Sequence, residues 1–257
     1  MSVRVAVLRG RTSDRTADGV GGAAALGAAV AERLGVGAAV IGEPGSPREA
    51  QWREDLRDAE PVLAGAADLI GAALDAGDTP ALFASDCTIA VATLPALARR
   101  EPDVRLVWLD AHGDFNTPDT SASGYLGGMC LSAACGRWDA GFGAGVDPAR
   151  VVLSDARDLD AAERDELERA GLAPIAPGAV AEAVRGERVF LHLDLDVLDP
   201  SEMPCTFPAP GGLSTEDLRA LLAQLADAAE LVGLEVTSMA APAPAPRLAE
   251  LLLPLLR

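Results

Sequence analysis

Two short runs place metal-type side chains where strands should end. The first, Asp110-Ala-His112-Gly-Asp114, follows directly on the apolar run RLVWL. Side chains alternate faces in an extended chain, so three ligand-type residues spaced by two can converge on one side. Carboxylates with an imidazole suit Mn, Fe, Co or Zn, and a carboxylate-heavy set tilts the choice toward a harder ion such as Mn. The second run, Asp194-Leu-Asp196-Val-Leu-Asp199-Pro200, follows RVFLHL; Asp194 and Asp196 share a face, while Asp199 and Pro200 turn the chain. Strand interiors disfavour Asp, and an unpaired buried carboxylate is costly, so two such clusters call for a cation. Either run alone also reads as Asp in a turn or helix cap, because short motifs recur by chance. Together they favour a metal site. One imidazole and five carboxylates would crowd a single ion. Two ions roughly 3.5 to 4 Å apart, sharing bridging carboxylates with a nucleophilic hydroxide between them, fit better.

Positioning these runs requires parallel strands whose carboxyl ends lie side by side. Short β-rich runs alternate with segments of helical period, which predicts a parallel sheet covered by helices on both faces. Strands are expected at Arg4–Leu8, Ala38–Ile41, Ala81–Ala84, Arg105–Leu109, Val151–Leu153, Val189–Leu193 and Leu231–Val236. Helices are expected at Gly21–Leu34, Asp55–Ala76, Ile89–Arg99, Ala161–Ala170 and Thr215–Ala229, the last behind a Ser214-x-x-Asp217 start that suits a helix N-terminus. The Gly-, Ser- and Thr-rich stretch from Asn116 to Gly145 follows a strand and reads as loops that build the site. Within it, Gly141–Gly145 has no phosphate-binding context. Ala241–Pro246, APAPAP, reads as extended before a last helix.

At 257 residues with no internal repeat, the chain reads as one domain spanning 1–257. No apolar run approaches the roughly 20 residues of a membrane span, and the start lacks the pattern of a secretory signal. A cytoplasmic setting without membrane contact is expected. A net charge of -18 with no basic stripe argues against nucleic acid. All the basic residues are Arg, a compositional bias rather than chemistry. Cys130, Cys135 and Cys205 read as small buried apolar residues outside any disulfide framework, and Trp52, Trp108 and Trp138 as packing residues.

The runs DAHGDFNTPDTSASGYLGG, HLDLDVLDPSEMP and VGLEVTSMAAP, in this order, resemble the arginase family of ureohydrolases. The similarity spans about Asp86 to Pro242 and implies a three-layer α/β/α sandwich with a mostly parallel sheet. It also implies a binuclear manganese site in which Asp110 and Asp194 bridge both ions. Asp114 would complete one ion and act in catalysis, while His112 and Asp196 complete the other. Asn116 and Ser123 fall where the family binds the α-carboxylate of a guanidino amino acid, and Asp160 where it faces the α-amino group. Glu235 matches the carboxylate that pairs with the guanidinium through parallel hydrogen bonds. The plainer readings are loop hydrogen bonders for Asn116 and Ser123, a helix cap for Asp160 and a surface Glu for Glu235.

Two departures stand out from the family pattern. Cys87, in Ala84-Ser85-Asp86-Cys87, replaces a His ligand, and a soft thiolate partners Mn poorly. Gly127, in Tyr125-Leu126-Gly127-Gly128, replaces the His credited with carrying protons. Both departures resemble the branch of the family that hydrolyses N-omega-hydroxy-L-arginine to ornithine and hydroxyurea. The alternatives are action on L-arginine itself, on agmatine or guanidinobutyrate, or binding of an arginine-like ligand or a partner protein without turnover. His192, two residues before Asp194, reads as a structural residue or a support for a ligand. Self-association remains open.

Overall fold

The computed structural model describes residues 2–143 and 145–257. Position 144, inside the Gly141–Gly145 run read as a loop, lies outside the described residues. The strands are β1 (Val3–Leu8), β2 (Ala38–Ile41), β3 (Thr79–Phe83), β4 (Arg105–Asp110), β5 (Val151–Asp155), β6 (Arg188–Asp194) and β7 (Glu230–Thr237). All pair in parallel in one sheet, in the order β2-β1-β3-β7-β6-β4-β5. Each expected strand is present, with ends shifted by a residue or two.

The helices are α1 (Asp18–Leu34), α2 (Trp52–Asp75), α3 (Ala90–Ala98), α4 (Cys130–Ala134), α5 (Ala161–Ala170), α6 (Val180–Ala183), α7 (Thr215–Ala228) and α8 (Ala245–Leu252). Strand side chains alternate between two cores. Val5, Val7, Phe83 and Leu109 pack with α1, α7 and α8 on one face; Ala6, Leu8, Leu82 and Trp108 pack with α2, α3 and α4 on the other. This is the three-layer α/β/α sandwich expected. The start of α7 carries a full capping box, in which the Ser214 side chain accepts from the Asp217 backbone N–H and Asp217 accepts from that of Ser214. None of the helices among the described residues is long and apolar enough to cross a membrane.

Two local expectations are corrected. The Asn116–Gly145 stretch is not all loop, because α4 forms within it and is buried throughout. The APAPAP stretch is not extended to Pro246: Pro244 has helical backbone angles and α8 begins at Ala245, which places Pro246 in the first turn. Proline is tolerated there because a first-turn N–H has no helical acceptor.

The sheet order positions the chemistry. β3, β7, β6 and β4 are consecutive neighbours, so the segments leaving their carboxyl ends converge. Register aligns Trp108, His192, Glu235 and Leu82 in one row across these strands. Asp194 pairs with Thr237 in a row two residues further on, hence on the same face and nearer the opening.

Candidate metal centre

Asp110 and Asp194 end β4 and β6 as buried carboxylates, 1% and 2% exposed. Asp110 Oδ1 accepts the backbone N–H of His112 at 2.7 Å, and Asp194 Oδ1 accepts that of Asp196 at 2.8 Å, so each strand turns tightly over its own last carboxylate. These turns bring His112 Nδ1 to 3.0 Å from Asp196 Oδ2 and 3.4 Å from Asp110 Oδ1. Arg157 fastens the β6 end from outside by donating to the carbonyl oxygens of Asp196 and Val197 and pairing with Asp155.

Cys87 is brought in from β3. Asp86 precedes it and accepts hydrogen bonds from Thr12 Oγ1, Ser13 N, Ser13 Oγ and Thr88 N at 2.9–3.1 Å, which pins the turn against the segment after β1. The Cys87 sulfur then lies 2.8 Å from Asp194 Oδ2, 3.2 Å from Thr237 Oγ1 and 4.0 Å from Asp110 Oδ2. Two overlapping donor groups result, Cys87–Asp110–His192 and Asp110–His112–Asp196, with Asp110 common to both. Asp114 completes the acidic lining at 7% exposure, with Cys130 Sγ 3.4 Å from its Oδ2. Asp114 has φ +48° and Ser238 φ +63°, left-handed conformations that cost energy in non-glycine residues and that here flank the carboxylates.

The electrostatics match a site built for cations. Burial, and after it the charge of Asp110, pushes the Asp114 carboxyl well up; burial and then Asp194 do the same to Asp196. Burial also acts to raise Asp110, but the hydrogen bond and charge of His112 outweigh it and hold Asp110 below its ordinary value. For His112 burial acts downward, yet Asp110 and Asp196 push its pKa up to about 12. Burial, then a hydrogen bond with Cys130 and the charges of Asp194, Asp114 and Asp110, push the Cys87 thiol well up. Four buried carboxylates facing one imidazole form a donor set that suits hard or borderline divalent ions. The sulfur makes the Cys87 side softer.

The expected substrate residues divide. Asn116 Nδ2 donates to Asp160 Oδ2 at 3.1 Å, so these two stand together, while the buried Asn116 Oδ1 has no hydrogen-bond partner among the described residues. Asp160 is also the cap of α5, accepting from Glu163 N, so its plain and functional readings coexist. Ser123 lies exposed on the rim, where its Oγ accepts from Tyr125 N. Arg15 reaches this rim, donating to the Ser123 carbonyl oxygen and lying 4.8 Å over the Tyr125 ring.

Glu235 requires correction as a guanidinium partner. It is neither a surface residue nor at the opening, being 0% exposed with its oxygens engaged by His192 Nδ1 and Thr93 Oγ1, each at 2.7 Å. β7 continues to Thr237, and the side chains that reach Asp194 are the buried Thr237 and the partly buried Ser238, both donating to its Oδ2. Trp108 does more than pack: its Nε1–H donates to Asp110 Oδ2 at 3.1 Å. Cys130 is buried as expected but borders Asp114, whereas Cys135 and Cys205 are partly exposed rather than buried. Asp199 turns the chain as expected, accepting from Ser201 N and Gly211 N.

Comparison with known proteins agrees with this geometry. Residues 44–248 match the model of the arginase family, and the chain belongs to that family. It is 38% identical over 246 residues to N(omega)-hydroxy-L-arginine amidinohydrolase of Streptomyces lavendulae, covering 94% of this chain and 90% of that protein. It is 33% identical over 183 residues to arginase of Brevibacillus brevis, covering 63% and 61%. Among solved structures, arginase of Bacillus cereus superposes with a TM-score of 0.87 at 26% identity, covering 99% of this chain and 98% of that one.

Proposed function

We propose that the chain is a metal-dependent amidinohydrolase that converts N-omega-hydroxy-L-arginine and water to L-ornithine and hydroxyurea. The observation that carries the hydrolytic reading is the convergence of Asp110, Asp194, Asp196, His112 and Cys87 at the ends of adjacent strands. Family membership and the similarity to the Streptomyces lavendulae enzyme support the substrate. The setting is cytoplasmic and the resident metal is manganese, two ions held by Cys87, Asp110, Asp114, Asp194, His112 and Asp196. Bound there, the ions would polarise a water and lower its pKa.

The chain's own residues do the rest. Asn116 and Asp160 form one polar pair able to receive the amino-acid end of the substrate, with Ser123 on the rim beside them. That pair favours an α-amino acid over agmatine, which lacks the carboxylate. Asp114 lies in the acidic lining, where it can take the proton of the attacking water. In the balance of the reaction the water oxygen bonds to the guanidine carbon and the bond to the ornithine nitrogen breaks. That nitrogen leaves with a proton. Hydroxylation withdraws electron density and lowers guanidine basicity, which reduces the need for a proton-carrying imidazole at position 127.

The test is turnover of N-omega-hydroxy-L-arginine, L-arginine and agmatine side by side, with ornithine and putrescine quantified. The hydroxylated substrate is expected to give the highest kcat/KM. L-arginine better by tenfold, a transition-state difference of about 1.4 kcal/mol, would replace this reading with a plain arginase. Turnover of agmatine alone would move the chain to a different guanidino substrate. No turnover, together with less than about one equivalent of metal retained after manganese loading, would point to a binding protein.

A further inference from the structure

Behind the carboxylates lies a chain of polar side chains that the proposed reaction does not use. Thr93 Oγ1 donates to Glu235 Oε2 at 2.7 Å; Glu235 Oε1 lies 2.7 Å from His192 Nδ1; His192 Nε2 lies 3.3 Å from Cys87 Sγ. Thr93, Glu235 and His192 are each 0% exposed. The imidazole lies flat on Trp108, ring centroids 3.5 Å apart and planes parallel, and cannot tilt without disturbing that contact. A glutamate and a histidine in the middle of a sheet are expensive, because strand interiors disfavour both burial of charge and unpaired polar groups. Their pairing in register on β7 and β6 offsets part of that cost.

We propose that Thr93, Glu235 and His192 act as a brace that positions the Cys87 sulfur to donate to the metal on its side of the site. The proposal rests on the metal-dependent reading given above. The contact of Nδ1 with the Glu235 carboxylate fixes the ring and turns Nε2 toward the sulfur. Cysteine has a single side-chain torsion before its sulfur; Sγ already touches the Thr237 hydroxyl at 3.2 Å, and the His192 contact at 3.3 Å is a second point that limits its rotation. His192 and Glu235 are thus positioning residues that act through Cys87. The chain's two histidines thereby serve two sides of one site, His112 at the Asp196 side and His192 behind the sulfur.

The experiment is manganese titration of the metal-stripped full-length chain by calorimetry, together with the sulfur-to-metal absorption of the cobalt(II)-loaded protein. Glu235→Gln is expected to weaken the ion on the Cys87 side on the order of tenfold, the usual effect of losing a residue that orients a ligand, and to shift or weaken the absorption. In a Cys87→Ser background the same Glu235→Gln substitution should change affinity by less than about twofold, because the group it acts through is gone. Thr93→Val keeps volume and breaks the far end of the brace, so it reads the same effect in smaller measure even where Glu235→Gln fails to fold. An equal loss with and without the sulfur would overturn the proposal in favour of His192 binding metal itself or merely holding the fold. Unchanged affinity and absorption in both variants would overturn it too. A wild-type chain that retains no metal would remove the underlying metal reading, a result distinct from either of these.

Discussion

The ring of Tyr125 stands in the space that a side chain at position 127 would need: a Cβ on Gly127 would lie 2.5 Å from Tyr125 Cε1 and 2.9 Å from its hydroxyl oxygen. Tyr125 and Gly127 are therefore one feature rather than two. The same ring rests 5.0 Å from Phe207, which in turn meets His112 edge-on, so its position shapes the wall near the ligands. Gly127→Ala should push the ring outward at an overpacking cost of about 1–3 kcal/mol and lower kcat/KM by roughly tenfold. Tyr125→Ala should make the methyl group tolerable, so that the double variant is no worse than Tyr125→Ala alone. Kinetics of the two single variants and the double variant check this. Equal losses from Gly127→Ala in both backgrounds would show that the methyl meets something other than the ring.

Both oxygens of Asp194 are engaged. Its Oδ2 receives Thr237 and Ser238 and touches Cys87, while Oδ1 holds the turn to Asp196. In the proposed two-ion site, Asp194→Asn removes one negative charge and would leave the dications less well shielded from each other, so metal content should fall and turnover drop on the order of a hundredfold or more. Elemental analysis beside an ornithine assay measures both. Undiminished turnover at matched manganese would remove Asp194 from the proposed ligand set.

What the sequence made legible was periodicity and ligand type. The alternation in RLVWL and RVFLHL located β4 and β6, and the Asp and His residues beyond them fell at the strand ends where such residues need a cation. Depth was not legible. Glu235 and Thr237 share a face of β7, and nothing in LVGLEVTS states which of the two stands beside Asp194; the pairing of Asp194 with Thr237 decides it. One available signal was the matched pair of misfits, a histidine two residues before Asp194 and a glutamate two residues before Thr237, each in an otherwise apolar strand. Such residues compensate each other when their strands are neighbours. Adjacency of β6 and β7 is a fact of topology that local pattern does not carry. The place of Cys130 beside Asp114 was hidden for a related reason, because α4 folds within a stretch whose composition reads as loop.

In the proposed site, Cys87 would make metal affinity depend on the softness of one ligand. Cys87→His supplies a borderline nitrogen and should bind the more weakly held manganese more tightly, by roughly tenfold; Cys87→Ser offers a neutral hydroxyl and should bind it less well. Manganese titration of the wild type and both variants ranks them. Identical stoichiometry and affinity in all three would mean that the sulfur does not touch the metal.

Glu163 couples the turn carrying Asp114 to pH. Its Oε1 accepts the backbone N–H of Phe115 at 2.9 Å, holding the chain just after the strained Asp114. Burial raises its pKa from 4.5 to about 7, with the charges of Asp160 and Asp110 adding to the shift. Between these values the folded chain binds the proton more tightly than the unfolded chain does, so stability is fully present below about pH 4.5 and falls as pH rises through about 7. Glu163→Gln keeps a carbonyl oxygen for Phe115 and removes the charge. In metal-stripped protein the variant should match wild type near pH 4.5 and exceed it near pH 8 by at most about 3 kcal/mol, the full linkage of a shift of this size. Urea unfolding at the two pH values measures the difference. An advantage for the variant that is the same at both, or a wild type that gains stability across this window relative to the variant, would show that Glu163 is not the group that titrates.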